Sequence, residues 1–339
     1  MVTIKDVAFA AGVSATTVSN VIHGYHSRVS RETADKILAV IDELGYIPNM
    51  SARSLVSRSS HVIALINHLP VEKPSDLILD PFYLRAISQI ESSMRESGYY
   101  LMLRTCNTSR ELVTFLQNWN ADGLFISGPI GKDFADALSK SGKPALLIDN
   151  LPISEEFSYV IQDDYQGGVL AAEHLLANGH TQIGYAVTAS QGNTTFCKRL
   201  HGFRDALEKA GHPLSEDRIF KCDSQSLASS LSLVGPVKQA VSDGMTALGM
   251  CSDELAIIFM AQLRKEGFSL PQQLSMVGFG DLPQGVLSDP ALTTIHYDVE
   301  EKASLAVSGM LRLLSGEQTE PTQVLLPVTI VERGSVCSL

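Results

Sequence analysis

Apolar residues near the start of the chain recur at helical spacing in three short segments. These positions are Ile4, Val7, Ala8 and Ala11; Val18, Val21 and Ile22; and Ala34, Ile37, Leu38, Ile41 and Leu44. The spacing predicts three helices, each with one packed face. Thr3, Ser14 and Ser30 precede the segments as N-cap residues, and Gly12 and Gly45 end the first and third. The pattern predicts a helix-turn-helix and a third helix, a small domain over residues 1–47.

The second predicted helix carries small polar residues on the side opposite its apolar stripe. Thr16 and Asn20 face away from the stripe, and Ala15, Thr17 and Ser19 flank them. An Asn amide can bond adenine and a Thr methyl can touch a thymine methyl, while hydroxyls and a helix N-terminus suit phosphates. This face favours contact with DNA. A solvated face on an ordinary core helix is the alternative.

Residues 48–60 are predicted to link this domain to the rest of the chain. Pro48 ends regular structure, and Asn49 can cap a short helix over about residues 51–57. So short a helix is marginal in water by itself. Because it carries Leu55 together with Arg53 and Arg58, its composition fits a segment that folds on a partner.

From His61 onward, short aliphatic runs alternate with amphipathic helical stretches. The runs VIALI, YLML, GLFI and ALLI form a first series up to Gln162, and QIGYAV, ALGM and SMVGF belong to a second. This alternation predicts parallel sheets with helices on both faces. Two series predict two similar lobes, with a ligand cleft at the carboxyl ends of their strands.

Composition and charge agree with a small DNA-binding head on an acidic body. The length of 339 residues, 45% of them hydrophobic, allows two or three domains with real cores. The net charge of the chain is −11. Residues 1–60 contain six Lys/Arg and five Asp/Glu, a net of +1, so the other 279 residues carry −12. The asymmetry leaves room for a polyanion partner at the head alone.

Other classes of function have no motif in their favour. No apolar run approaches the roughly 20 residues of a membrane helix, and the N-terminus lacks the apolar core of a signal peptide. The five cysteines form no CxxC pair, and HExxH, GxSxG and a phosphate-binding GxxxxGK[ST] are absent. We expect a cytoplasmic protein that is not an enzyme, contains no metal, needs no cofactor and does not associate with membranes.

The segments TIKDVAFAAGVSATTVSNVIHG and SRETADKILAVIDELGYIPNMSARSL resemble the N-terminal module of the LacI/GalR family of bacterial repressors. The resemblance implies that Ala15, Thr16 and Asn20 read bases in the major groove. It implies that Leu55 enters the minor groove as an apolar wedge. The full set of implied DNA-binding residues is Thr3, Ser14, Ala15, Thr16, Thr17, Ser19, Asn20, Tyr46, Arg53 and Leu55. Asn20 stands where many family members have Arg or His.

The body resembles the same family in stretches such as RLHGF, SDELA, LPQQLSMVGFGD and ALTTIHYD. The implied fold is an all-α helix-turn-helix DNA-binding head plus an α/β two-lobed periplasmic-binding-protein-like core with parallel sheets. The chain is expected to cross between lobes near residues 162, 292 and 324. Lobe 1 then covers about 61–162 and 293–324, and lobe 2 about 163–292 and 325–339. The resemblance also implies a homodimer on double-stranded operator DNA. The sequence contains no leucine-heptad tail of the kind that forms tetramers, so a dimer is favoured over a tetramer.

The resemblance further implies a small-molecule effector, a sugar or sugar derivative, in the cleft. The implied effector-binding residues are Phe82, Tyr83, Asn193, Thr195, Arg199, Ser252 and Asp281. Three positions depart from the family pattern: Gly280 replaces an Asp, Ser224 an aromatic residue and Ser252 an Asn. Simple lining of the cleft, or packing in the core, is the alternative for Phe82 and Tyr83.

Three functional hypotheses follow. The first is a DNA-binding repressor that a small molecule controls. The second, which the departures in the cleft motivate, is a regulator controlled by a partner protein, with a vestigial cleft. The third is an enzyme or a sugar-binding protein on the two-lobed fold, and the N-terminal head argues against it.

Overall fold

The computed structural model describes residues 2–22, 28–46, 59–68, 81–149, 156–188, 195–222, 227–317 and 320–339, except the side chains of Pro81 and Phe82. The chain divides into two compact units, which we call the head (Met1–His61) and the core (Val62–Leu339). Most of the predicted linker lies outside the described residues, and with it Arg53 and Leu55.

The head contains the three predicted helices, α1 (Ile4–Ala11), α2 (Ala15–Ile22) and α3 (Arg31–Leu44). The Ser14 hydroxyl accepts a hydrogen bond from the Thr17 amide at 3.1 Å and caps α2. Ser30 caps α3 in the same way. Gly12 and Gly45 end α1 and α3 with φ of 69° and 60°, a left-handed conformation that glycine adopts without steric cost.

The apolar stripes of the three helices meet in one core. Its buried members are Val7, Ala8, Ala11, Val18, Val21, Ala34 and Ile37. Ile4, Ile22, Ile41 and Leu44 pack partly buried against them. The prediction was wrong for Leu38, which is 46% exposed in the head. Its neighbour Ile37 is fully buried instead, because the two short helices α1 and α2 cover only a narrow face of α3.

Among the described residues, the strands of the core form two six-stranded sheets. Sheet 1 has the order β11-β5-β4-β3-β1-β2 and sheet 2 the order β12-β10-β9-β8-β6-β7. The strands are β1 (Val62–Asn67), β2 (Tyr100–Thr105), β3 (Gly123–Ser127), β4 (Ala145–Ile148), β5 (Ser158–Gln162), β6 (Ile183–Thr188), β7 (Ile219–Cys222), β8 (Ala247–Met250), β9 (Ser275–Phe279), β10 (Thr293–His296), β11 (Gln323–Leu326) and β12 (Thr329–Val331). All described pairings are parallel except β10 with β12.

Helices cover both sheets. Within the described residues they are α4 (Pro81–Glu96), α5 (Ser109–Asn118), α6 (Lys132–Ser141), α7 (Asp164–Ala177), α8 (Thr195–Lys209), α9 (Leu227–Ser232), α10 (Val234–Ser242), α11 (Asp253–Lys265), α12 (Pro283–Leu287) and α13 (Val299–Ser315). Helices α4 and α13 pack on one face of sheet 1, and α5 and α6 on the other. Helices α7, α8, α10 and α11 share the core of sheet 2. The fold is the predicted two-lobed α/β arrangement with parallel sheets.

The chain passes from one lobe to the other after β5, β10 and β11. The first crossing follows Gln162, since β5 ends there and α7 begins in the second lobe at Asp164. The other two follow the ends of β10 at His296 and of β11 at Leu326. Residues Thr293 to Ile295 pair with β9, and β11 runs to Leu326 beside β5. Backbone hydrogen bonding along the sheets sets these boundaries, and the sequence pattern does not reveal it.

Candidate nucleic-acid interface and ligand cleft

Helix α2 presents the polar face that its sequence predicts. Thr16 is exposed and Asn20 is half-buried, whereas Val18 and Val21 are buried on the other side. The Ser14 and Thr17 hydroxyls lie 2.8 Å apart at the start of the helix. Small polar side chains and the first amides of α2 therefore stand together at its exposed N-terminal end, where a phosphate or a base edge can approach.

The other described residues that are predicted to bind DNA differ in how far they are buried. Ala15 and Tyr46 pack partly against the head core. Thr3 is exposed, and its amide and hydroxyl donate to the Asp6 carboxylate at 2.8 and 2.7 Å. These hydrogen bonds hold the pKa of Asp6 below its ordinary value. Ser19 is half-buried.

The carboxyl ends of the first-lobe strands bring polar residues to one edge of sheet 1. Asn67 ends β1, Ser127 ends β3, and Asp149 follows β4 with a φ of 55°. Asn67 is 2% exposed, and its Oδ1 atom has no hydrogen-bond partner among the described residues. His68 continues from β1, and its Nδ1 atom lies 2.6 Å from the carbonyl oxygen of Cys106.

Helices α7 and α8 approach each other so closely in the second lobe that only glycine fits between them. A Cβ on Gly168 would lie 2.0 Å from the Arg199 carbonyl oxygen, and one on Gly202 would lie 1.9 Å from the Tyr165 carbonyl oxygen. This contact sets Asp164, at the start of α7, beside Arg199 on α8.

Arg199 and Asp164 form a buried ion pair in this lobe. The Arg199 Nε atom lies 2.8 Å from Asp164 Oδ1, and their side chains are 8% and 4% exposed. Arg199 also donates through Nη1 to the Cys251 carbonyl oxygen at 2.6 Å and stacks on the Phe279 ring at 3.6 Å. Burial raises the pKa of the Asp164 carboxyl, and the Arg199 guanidinium offsets only part of that rise. The predicted effector residue Arg199 thus has partners within its own lobe.

Asp281 lies two residues after β9, at the edge of sheet 2 where its parallel strands have their carboxyl ends. Its carboxylate forms an ion pair with Arg333, and its Oδ2 atom lies 2.9 Å from His296 Nδ1. Gly280 before it has a φ of 134°. The predicted effector residue Asp281 is therefore tied to two side chains of its own lobe, and Gly280 offers no side chain.

A second carboxylate, Asp253, lies fully buried beneath Asp281. Its Oδ1 atom accepts from the Thr294 hydroxyl at 2.5 Å and its Oδ2 atom from the Leu282 amide at 2.7 Å. Burial raises its pKa from 3.8 to about 6, against the effect of these hydrogen bonds.

The remaining predicted effector residues are spread over both lobes. Ser252 caps α11 by accepting from the Leu255 amide at 3.3 Å. Thr195 is the first residue of α8, and Tyr83 lies on α4 against the first-lobe core. Asn193 and the Phe82 side chain lie outside the described residues.

Reasoning from the sequence missed several polar residues near the lobe junction. They are Asp149, Gln162, Asp253, His296, Lys302 and Arg333. One signal was available for Lys302, because it falls at helical spacing with the apolar Val299, Ala303 and Ala306 and therefore on the packed face of α13. A cation at such a position needs an internal partner.

Comparison with known proteins identifies both units. Residues 3–49 match the model of the bacterial regulatory proteins of the lacI family, and residues 172–336 match the periplasmic binding protein-like domain. The chain is 30% identical to the HTH-type transcriptional repressor PurR of Vibrio parahaemolyticus serotype O3:K6 (strain RIMD 2210633), with 100% of both chains covered. It is 32% identical to the HTH-type transcriptional regulator DegA of Bacillus subtilis (strain 168), over 99% of this chain and 98% of that protein.

Among solved structures, the lac repressor dimer bound to operator and the anti-inducer ONPF matches with a TM-score of 0.82 and 26% identity over 99% of each chain. Within the part of the chain that the structure describes, no helix has the length and apolar character to cross a membrane. The same residues contain no group of three or more His, Cys, Asp or Glu side chains placed to hold a metal ion. From the head, the core and these relatives we conclude that the chain belongs to the LacI family of bacterial regulatory proteins, as a DNA-binding transcriptional repressor and not an enzyme.

Proposed function

We propose that the chain acts in the cytoplasm as a homodimer that binds a palindromic operator, with one α2 helix in the major groove of each half-site. The observation that carries this proposal is the polar face of α2, where Thr16 and Asn20 lie opposite the buried Val18 and Val21. Short side chains at the start of a capped helix let the backbone approach DNA closely, so that Asn20 reaches a base edge.

Roles for the other head residues follow from family membership. Ala15, Thr16 and Asn20 read bases, whereas Thr3, Ser14, Thr17, Ser19 and Tyr46 hold phosphates or position the helix. In the linker, Arg53 neutralises backbone charge and Leu55 wedges into the minor groove, where it stabilises a kink. The two symmetric heads of a dimer then match the two half-sites.

A small molecule in the cleft, a sugar or sugar derivative, controls DNA affinity in this proposal. The two-lobed core and the anti-inducer in the lac repressor structure support it. The effector contacts come from Phe82, Tyr83, Asn193, Thr195, Arg199, Ser252 and Asp281. Control requires that the molecule bind the two lobe arrangements with different affinity. We assign it as an inducer, which releases the repressor from DNA.

A partner protein is the second candidate for the controlling signal. Arg199 and Asp281 already bind Asp164 and Arg333 within the core, and Gly280 contributes no polar group. A ligand must then displace internal partners or bind elsewhere in the cleft. This observation favours a core whose DNA affinity is controlled by binding of a partner protein instead of a small molecule.

Thermal unfolding of the full chain with sugars, sugar phosphates, nucleosides and amino acids separates these candidates. A ligand at 100 times its Kd stabilises the folded state by about 2.7 kcal/mol. A stabilising sugar supports the effector proposal. A flat panel together with capture of a partner protein by the purified core supports the second candidate.

The binding site of a hit is mapped with two variants. Arg199→Met alone leaves the buried Asp164 without its ion-pair partner, whereas the double variant D164N/R199M removes both charges. Loss of the stabilisation by the ligand in both variants places Arg199 in the site. Loss in Arg199→Met alone assigns the effect to the unpaired Asp164.

Fluorescence anisotropy on an operator fragment then tests the polarity. An inducer weakens operator binding. A molecule that tightens it reverses the assignment to corepressor.

A further inference from the structure

Lys302 is a buried cation on the packed face of α13. It is 3% exposed, and its neighbours at helical spacing, Val299, Ala303 and Ala306, are buried apolar residues. Its ammonium forms an ion pair with Asp149 and donates to Gln162 Oε1 at 2.8 Å. The Tyr297 ring lies 4.8 Å from Nζ. Lys302 therefore has the partners that a buried ammonium requires.

Gln162 connects this cation to the second lobe. Its Oε1 atom accepts from Lys302, and its Nε2 atom donates to Asp164 Oδ1 at 2.9 Å. Gln162 is 2% exposed and ends β5 in the first lobe, whereas Asp164 begins α7 in the second. This hydrogen bond thus spans the first crossing between the lobes.

The opposite charges on either side of Gln162 fix the orientation of its amide. The ammonium attracts the carbonyl oxygen and the carboxylate attracts the amino group. A flipped amide would direct its amino group at Lys302 and its oxygen at Asp164, two repulsive contacts. Only the orientation with Oε1 towards Lys302 lets Gln162 bond both neighbours.

Beyond Asp164 the series continues through the second lobe. Asp164 binds Arg199, and Arg199 donates to the carbonyl oxygen of Cys251, the residue directly after β8. We call the series Asp149, Lys302, Gln162, Asp164 and Arg199 the polar bridge. Its charges alternate in sign on both sides of the uncharged Gln162, and every member except Asp149 is more than nine-tenths buried.

We propose that Lys302 is a positioning residue of the repressor core: by fixing the Gln162 amide it completes the polar bridge and holds the lobes in one arrangement. The side chains of the polar bridge define that arrangement, and an effector that changes it must break or bend the bond between Gln162 and Asp164. The consequence for DNA rests on the proposed function. The positioning itself does not.

Hydrogen exchange on the full chain without DNA tests the positioning. Lys302→Met keeps the length of the side chain and removes its charge, and the one-third exposed Asp149 can then be hydrated. We expect exchange of the amides of the crossings, residues 160–166 and 296–299, to rise about tenfold, the loss expected for roughly one hydrogen bond. Arg312→Met, an exposed cation on the same helix, is the matched control and should change nothing there.

Two Gln162 variants test whether Lys302 acts through the amide. Gln162→Glu can still bind Lys302 but repels Asp164, so it should speed exchange at the crossings as Lys302→Met does. In Gln162→Leu the bond to Asp164 is already lost, so adding Lys302→Met should raise exchange there no further. Crossing amides that stay protected in Lys302→Met or in Gln162→Glu, additive effects in the double variant, or equal losses throughout both lobes would overturn the proposal. If Lys302→Met does not fold, Gln162→Glu decides alone.

Operator affinity without any small molecule is measured on the same variants. An exchange effect at the crossings with an unchanged operator affinity keeps Lys302 as a positioning residue and removes the link to DNA binding. Absence of both effects counts against the positioning itself, and the proposed function then stands or falls by its own ligand tests.

Discussion

The buried carboxyl of Asp253 should make the stability of the core depend on pH. Its pKa is about 6 in the folded protein, against an ordinary value of 3.8. Four neighbouring groups also affect the stability of its charged form. The Thr294 hydroxyl and the Leu282 amide stabilise the carboxylate by donating hydrogen bonds to it. The positive charge of Arg333 stabilises the carboxylate as well, whereas the negative charge of Asp281 destabilises it. Burial outweighs the favourable contacts because a charge away from water loses its hydration.

The sign follows from proton binding. Between pH 4 and pH 6 the folded protein holds a proton on Asp253 that the unfolded chain has released, so folding is favoured at the lower pH. This contribution is fully present below about pH 4 and is lost as the pH rises through 6. The difference between 3.8 and about 6 amounts to about 3 kcal/mol, at about 1.4 kcal/mol per pKa unit.

Asp253→Asn removes the titration while keeping the shape of the side chain. Its Oδ1 atom can accept from the Leu282 amide and its amino group can donate to the Thr294 hydroxyl. We therefore expect the free energy of unfolding of the variant, relative to wild type, to rise by about 2 kcal/mol from pH 4 to pH 7, the larger part of the full difference. Urea unfolding at half-unit pH steps, with two-state behaviour checked by two probes, measures it.

Asp243→Asn, an exposed carboxylate of the same lobe, is the control and should show no such rise. A difference between Asp253→Asn and wild type that stays constant from pH 4 to pH 7 would contradict a raised pKa of Asp253 in the folded protein. The carboxyl would then titrate alike in the folded and unfolded chain.

Three further predictions concern the head, the linker and the helix contact of the second lobe. Asn20→Ala should cost about 1–3 kcal/mol and relax base preference at one position of each half-site, read by anisotropy on single-base operator variants. Leu55→Ala should weaken specific binding far more than non-specific binding because it removes the wedge, and equal losses on operator and random DNA would exclude that role. Gly168→Ala should destabilise the core by about 1–3 kcal/mol in urea unfolding because its Cβ would meet the Arg199 carbonyl oxygen at 2.0 Å, whereas Gly235→Ala, with open space around it, should be neutral or slightly stabilising.

Local features of the fold could be predicted from the sequence because they depend on neighbours a few residues apart. Ser14 and Ser30 bond amides three residues ahead, and Gly12 and Gly45 adopt the left-handed conformation that ends a helix. The exposure of Leu38 could not be predicted in this way. Helical spacing shows that a residue lies near the packed face, but the size of the opposing helices decides how wide that face is.

The cleft was harder to predict because its contacts join distant positions. Lys302 meets Asp149 and Gln162, separated from it by 153 and 140 positions along the chain. The family resemblance implied Arg199 as an effector contact, but its pairing with Asp164 depends on how closely α7 and α8 pack. Glycines at positions 168 and 202 make that approach possible, and a single sequence does not show which helices they bring together.

Selection of binding sites from a pool of random duplex DNA, with the full-length wild type and with Asn20→Ala, shows whether paired α2 helices recognise an operator. We expect the wild type to enrich a palindromic sequence. We expect Asn20→Ala to lose preference at one base pair in each half-site, at symmetric positions. Enrichment of no common sequence, enrichment of a sequence without two-fold symmetry, or an unchanged preference in the variant would contradict recognition of an operator by paired α2 helices.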